Sequence, residues 1–406
     1  MPRPLLRVLW LLLIAACTRK EAPSASPSAR ASVSLPGATR SSPPGERISE
    51  RPAPCLSSEP YASAGVLSEE ARDALAADAK DRALACAEEA LRLAPRLVQA
   101  LSVRAEALAA LGRLDDARLA YARALAVDPS DPEALLGAAE LHVRRLGPSR
   151  DALEIGLEYA LRGARAAAAR KDRTLAARLV LVAGMAENDL GRSQLALPHL
   201  DRAAQVLSAD PDLLYERGVA LYELCRFDEA QRAFERAVAL APDDAWAIHQ
   251  LGLLAERRGD HAKAEGLLAR ARKLAPEDFP PDLPVDEEMF RRDLRSAIAA
   301  LPEKERRALE AVPVEVQDLP DADDLLAVDP PLSPSILGLF RGPSEEEPCT
   351  AADGPRCRAI VFYRKNLLRF VHDRRELERQ VTVTLLHELG HLHGESEDEL
   401  RARGLE

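Results

Sequence analysis

His387, Glu388 and His391 stand in the order His-Glu-Leu-Gly-His, a spacing suited to one kind of chemistry. Residues four apart on an α-helix lie about 40° apart in projection and one turn apart in height, so His387 and His391 can offer two imidazole nitrogens to a single Zn2+ ion. Glu388 lies about 100° round from His387, beside such an ion and not on it, where a carboxylate can take a proton from an attacking water. A catalytic zinc keeps three protein ligands and an open position, so a third ligand is needed. Gly394 can end the helix in a left-handed conformation and turn the chain back, which makes Glu397 the expected third ligand, with the carboxylates of Glu395, Asp398 and Glu399 as alternatives. The run then reads HExxHxxGxxE. His393 points away from the ligand face and is expected at solvent.

The helix that must carry these residues is expected to begin at Asp373, which with Glu376 has the spacing of a capping box, and to run to about His393. Val381, Leu385, Leu389 and Leu392 fall on its opposite face and are candidates for a core. Upstream, the apolar run Ala359 to Tyr363 reads as a strand, Val312 to Gln317 alternates as a second short strand, and Asp286 to about Ala311 reads as helix. Tyr363 and His372 are possible additional proton donors.

Residues 286–406 resemble the small bacterial zincin-like metallopeptidase family. The resemblance rests on Phe290 and the helix through Leu301-Pro302-Glu303, Val314-Glu315-Val316-Gln317-Asp318, Leu337-Gly338-Leu339-Phe340, Ile360-Val361-Phe362-Tyr363-Arg364, Leu367-Leu368-Arg369 and the zinc helix. It implies a minimal zincin with a short sheet against the active-site helix, His387 and His391 as metal ligands and an acid at the Glu397 position. The chain departs from the metzincins, whose glycine spacing is similar, because the third ligand is acidic and no methionine follows the motif. Between Phe340 and Arg358 lies a segment rich in acids and punctuated by Asp353-Gly354-Pro355, which departs from the family as an insertion. Cys349 and Cys357, eight apart around that turn, are expected to close a disulfide loop worth about 2 to 3 kcal/mol.

Ahead of this segment, residues 61–278 carry a 34-residue period. Pro95 and Pro129 are 34 apart, as are Pro242 and Pro276, and Gly218 and Gly252. Ala83 and Ala117 share a column with Ala196, Ala230 and Ala264, and a second column holds Ala90, Ala124, Ala203, Ala237 and Ala271. The columns resemble the tetratricopeptide repeat, with aromatics at Tyr121 and Phe234 and a helix-ending proline. Alanine at a crossing lets helix axes approach, and the aromatic fills the gap between neighbouring repeats. Proline stops the second helix because it has no amide donor. About six repeats are expected, near residues 64, 98, 132, 177, 211 and 245, with about eleven extra residues between Arg144 and Lys171. Such a solenoid offers a groove for a protein or peptide partner. His142, His199, His249 and His261 have no metal spacing, and Cys86 and Cys225 read as small buried residues of helices.

Arg3 and Arg7 precede an apolar run, Val8 to Ala16, too short to cross a bilayer, so residues 1–16 read as a signal peptide. Leu13-Ile14-Ala15-Ala16-Cys17 resembles the bacterial lipobox, which implies acylation of Cys17, and Thr18 after it implies export to the outer membrane, facing the periplasm. Residues 18–60, dominated by Ser, Pro, Ala and Arg, read as a disordered tether in which Cys55 is the odd thiol, free or in mixed linkage.

The chain of 406 residues has a formal net charge of −11, and its last 122 residues, with 26 acidic and 17 basic side chains, hold −9 of it. With aromatics at 4%, neither charge nor stacking surface suits nucleic acid. The expected architecture is an all-α tetratricopeptide-repeat solenoid followed by a small α+β zincin-like domain, the latter over residues 285–406. The expected function is a membrane-anchored zinc metallopeptidase whose repeats recruit a partner or substrate; the alternative is a repeat-based scaffold whose zincin domain binds metal without catalysis.

Overall fold

A computed structural model describes Cys55 and residues 63–147, 149–349 and 357–405. The expected signal peptide, Cys17 and the tether up to residue 54 lie outside the described residues.

Among the described residues twelve helices come first, in antiparallel pairs: α1 (Ala64–Ala76) with α2 (Lys80–Leu93), α3 (Val98–Ala110) with α4 (Leu114–Val127), α5 (Pro132–Arg144) with α6 (Arg150–Ala169), α7 (Arg173–Asp189) with α8 (Ser193–Ala204), α9 (Pro211–Glu223) with α10 (Phe227–Leu240), and α11 (Ala245–Arg257) with α12 (His261–Leu274). Several starts follow from local chemistry. Asp131 and Asp210 accept the amides of Ala134 and Leu213, and each precedes a proline at the first helical position, where the missing N–H costs nothing. First helices touch the first helices of the next repeat, α1 to α3 through α7 to α9, so they line one face of the stack. The extra residues of the irregular third repeat lengthen α6 to 20 residues.

Both alanine columns are buried, and the interior they line is close-packed. Gly184 keeps the spacing of Gly218 and Gly252, a third member of a column that sequence reading reduced to two. A Cβ on Gly218 would lie 2.5 Å from Phe234 of the same repeat, and one on Gly137 would lie 2.3 Å from Tyr121 of the preceding repeat. Tyr121 therefore meets the following repeat as expected, and Phe234 packs against Gly218 and Tyr215 on the first helix of its own.

Cys55 and Cys86 form a disulfide with Cα atoms 4.8 Å apart, which corrects the expectation of a Cys55 free or in mixed linkage and of a merely apolar Cys86. Cys86 is buried on α2, and Cys55 packs against the Leu67, Ala71 and Ala90 neighbourhood of the first repeat, so the chain before α1 is stapled to the solenoid. Closing a loop of 31 residues is worth roughly 3 to 4 kcal/mol in the chain-entropy account. Cys225 is also corrected: it sits in the turn after α9 at φ 57°, not in a helix, and its thiol meets the Leu332 carbonyl.

The second domain begins with α13 (Glu287–Ala300) and α14 (Glu303–Ala308). The single helix expected here is interrupted because Pro302 offers no amide and holds Leu301 extended at ψ 152°. Next come β1 (Val314–Gln317), the short α15 (Ala322–Leu325), β2 (Gly338–Arg341), β3 (Ala359–Tyr363), α16 (Arg364–Phe370), α17 (Arg374–Leu392) and α18 (Glu397–Ala402). The sheet order is β1-β3-β2, with β1 parallel and β2 antiparallel to the fully buried β3. Leu377, Val381, Leu385, Leu389 and Leu392 of α17 join Ile360 and Phe362 of β3 and Phe290 and Leu294 of α13 in one core.

The two domains meet through directed polar contacts. Glu256 at the end of α11 accepts from Lys365 (3.0 Å) and Arg369 (2.5 Å) of α16, and the neighbouring Arg257 donates to the Pro320 and Pro334 carbonyls. Desolvation of the half-buried Glu223 carboxyl pushes its pKa up to about 7, against the pull of its hydrogen bond with Ser333. Among the described residues no helix is long and apolar enough to cross a membrane.

Candidate metal centre

Helix α17 starts where Asp373 accepts the Glu376 amide at 2.8 Å. The reciprocal arm of the expected capping box differs: the Glu376 carboxylate takes the amide of His372, at 2.7 Å, and also its ring. That contact occupies His372, which lies exposed near the helix start. At the other end Gly394 adopts φ +83°, and the Glu395 amide reaches back to the Gly390 carbonyl at 2.9 Å, closing the helix with a left-handed turn that favours glycine.

That turn brings the sequence candidates together. His387 Nε2 and His391 Nε2 face one another at 3.1 Å, and Glu397 lies 3.3 Å from His391 Nε2 and 3.9 Å from His387 Nε2. Donor atoms of all three lie within 4.8 Å of one another. The other three acids have other partners: Glu395 pairs with Arg403, Asp398 with Arg401, and Glu399 caps α18 through Ser396. Glu397 stands at the start of α18 because Ser396 is its N-cap. Its bond with His391 lowers the pKa of the carboxyl and raises that of the imidazole. His387 Nδ1 meets the Leu405 carbonyl at 2.5 Å, and His391 Nδ1 meets the Glu395 carbonyl at 3.2 Å.

These residues fit a zinc ion. With Nδ1–H donating to a carbonyl on each ring, the two Nε2 lone pairs face one another with a carboxylate alongside, an arrangement that a divalent cation relieves. Two nitrogens and one carboxylate are also the donor set of catalytic zinc sites with an open position. The Glu397 side chain is 65% exposed, so the cluster opens to solvent.

Glu388 lies beside the cluster and is buried. Desolvation pushes its carboxyl up to about 7, against the opposing pull of His391 and of the Phe340 amide, which donates to it. Room for it comes from Gly338 on β2: a Cβ there would lie 2.9 Å from Glu388 Oε1 and 2.6 Å from Thr384 Cγ2. The sequence does not point to Gly338 or the Phe340 amide as part of the site; the one signal is a glycine within the apolar run Leu337 to Phe340, which marks a close backbone approach.

Two expectations are corrected here. His393 is not a solvent residue: its ring bridges Glu345 (2.7 Å) and Glu305 (2.9 Å), and its side chain is 16% exposed. The acids that reach it come from α14 and from the segment after β2, which a helical wheel cannot show. Tyr363 offers no donor to the cluster, because its buried hydroxyl donates to Asp324 at 2.6 Å, and Asp324 also holds Arg341 through both its oxygens. Cys349 and Cys357 are bonded, with Cα atoms 5.8 Å apart. The segment leading into that loop is tied to the end of α17 by the Glu345 amide on the Leu392 carbonyl at 2.7 Å.

A helical repeat domain followed by a small α+β domain, with a histidine pair and Glu388 near the end of its long helix and Glu397 on the helix after it, defines the class of this molecule. The chain carries tetratricopeptide repeats and a C-terminal zincin-like metallopeptidase domain: the zincin-like metallopeptidase family model matches residues 309–405, and tetratricopeptide repeat models match 98–141 and 211–244. No curated protein matches. Similar solved structures include YrrB, described as a TPR protein with an unusual peptide-binding site (22% identity, 47% of this chain and 92% of that one, TM-score 0.37). They also include pilF of Pseudomonas aeruginosa (14% identity, 52% and 92%, TM-score 0.46) and PilW, a type IV pilus biogenesis factor (19% identity, 56% and 96%, TM-score 0.46).

Proposed function

We propose that this protein is a zinc-dependent peptidase held at a membrane by a lipid on Cys17, with a repeat domain that recruits a protein or peptide. One observation carries the catalytic part: the facing Nε2 atoms of His387 and His391, with Glu397 against them and buried Glu388 alongside. His387, His391 and Glu397 would hold the metal. When bound, zinc supplies a Lewis acid that polarises the scissile carbonyl and acidifies water. Glu388 takes the proton from the water whose oxygen attacks the carbonyl carbon, and delivers it to the amine nitrogen as the C–N bond breaks. A carboxyl raised towards neutrality is suited to both transfers, and the Phe340 amide fixes its orientation. The repeats, which as a class bind peptides and proteins along their inner face, supply a surface separate from the chemistry.

Export is supported by Arg3, Arg7 and the run ending at Cys17, and by two disulfides, Cys55–Cys86 and Cys349–Cys357, which persist in oxidising compartments. Incubating the intact protein with a broad peptide library, with and without a zinc chelator, tests the peptidase reading. Chelator-sensitive cleavage is expected; a zinc-loaded protein that cleaves nothing would favour the scaffold reading. Cys17→Ser should leave an unlipidated precursor that no longer fractionates with membranes, and normal processing with retained membrane association would exclude the anchor.

A further inference from the structure

The segment after α18 does more than end the domain. Leu405 is buried, and its amide returns to the Leu400 carbonyl at 3.1 Å. Gly404 makes that return at φ +72°, with its own amide on the Arg401 carbonyl at 3.0 Å. Leu400, fully buried, seats α18 on the metal helix at Gly390, where a Cβ would lie 2.2 Å from the Leu400 side chain. Arg403 closes the same clasp on Glu395. The Leu405 carbonyl is thereby aimed at His387 Nδ1, 2.5 Å away, from a segment fixed at three points.

An imidazole has two nitrogens, and a ring turned over about its Cβ–Cγ bond, or carrying its proton on Nε2, offers nothing to a metal on the far side. We infer that Leu405 is a positioning residue for the zinc site: its main-chain carbonyl holds the proton of His387 on Nδ1 and fixes the ring so that the Nε2 lone pair faces His391 and Glu397. This rests on the metal reading given above and adds to it a main-chain group 18 residues away in sequence. The Leu405 side chain is the anchor, and the carbonyl is the functional atom.

The experiment compares the full chain with a chain ended after Arg403, with Leu405→Asp, which puts a charge in the buried anchor, and with Leu405→Met, which keeps an apolar anchor. Zinc affinity is read by competition with a chromophoric chelator, and the His387 tautomer by 15N NMR of the metal-free protein. The full chain and Leu405→Met should show the Nδ1–H tautomer and equal affinity. The shortened chain and Leu405→Asp should lose the single tautomer and bind zinc about 10- to 100-fold more weakly, the usual cost of removing a partner behind a ligating histidine. A folded shortened chain with unchanged tautomer and zinc affinity would overturn the inference. If the shortened chain fails to fold, the full chain still decides, because an Nε2–H tautomer of His387 in the metal-free protein contradicts it. A full chain that shows the Nδ1–H tautomer yet binds no zinc would sink the metal reading while leaving the carbonyl contact standing.

Discussion

Glu388→Gln is expected to leave zinc stoichiometric while hydrolysis of any peptide the wild type cleaves falls by about 10² or more, the usual order for losing a general base. The substitution isolates the proton. Glutamine has the same shape beside Gly338, and its carbonyl oxygen can still accept the Phe340 amide, so neither packing nor orientation is lost. What disappears is a carboxylate able to take a proton from water and return it to the leaving amine. Metal content by elemental analysis and initial rates on one cleaved peptide check both halves. Full activity in Glu388→Gln would end the mechanism.

His387→Ala and His391→Ala should behave in the opposite way, with zinc affinity down by more than about 100-fold, beyond the loss seen when only a supporting group is removed, and hydrolysis at background. The fold should survive either change. The apolar face of α17, with Val381, Leu385, Leu389 and Leu392, packs on the core away from the histidines, so thermal unfolding measured in chelator should shift by only a few degrees. Glu397→Ala should follow the histidine variants in metal content. If it keeps full zinc affinity, then Glu395, Asp398 or Glu399 has left its arginine or serine partner to serve as the third ligand.

Much of this architecture is written in local rules. The alanine columns are visible in the sequence because a helix crossing admits only small side chains at a fixed interval, and the class of fold, helical repeats followed by a small α+β domain, follows from where that interval stops. The HExxH spacing is legible for the same reason, since helical geometry alone puts its two histidines on one face. Features made by distant segments were not legible. His393 reads as a surface residue on a wheel of α17, yet Glu305 and Glu345, 88 and 48 residues away in sequence, converge on it. Cys55 reads as part of a polar tether until the first repeat is built and Cys86 appears opposite it. β2 is only four residues long and none of them is fully buried, so no alternation marks it as a strand, although it supplies both the gap at Gly338 and the Phe340 amide to Glu388. Tyr363 shows the converse. An aromatic hydroxyl near a catalytic motif invites a chemical role, and the structure spends it on Asp324 in the interior.

The zinc K-edge X-ray absorption spectrum of the full chain, purified without added metal, bears most directly on the metal centre. One zinc per chain should appear with two imidazole nitrogens at about 2.0 to 2.1 Å, oxygen ligands at about 2.0 to 2.2 Å, no sulfur, and an oxygen that a competing anion displaces. Protein that holds no zinc, zinc bound through sulfur at about 2.3 Å, or a shell saturated by protein donors that no anion enters would contradict a peptidase site built from His387, His391, Glu397 and Glu388.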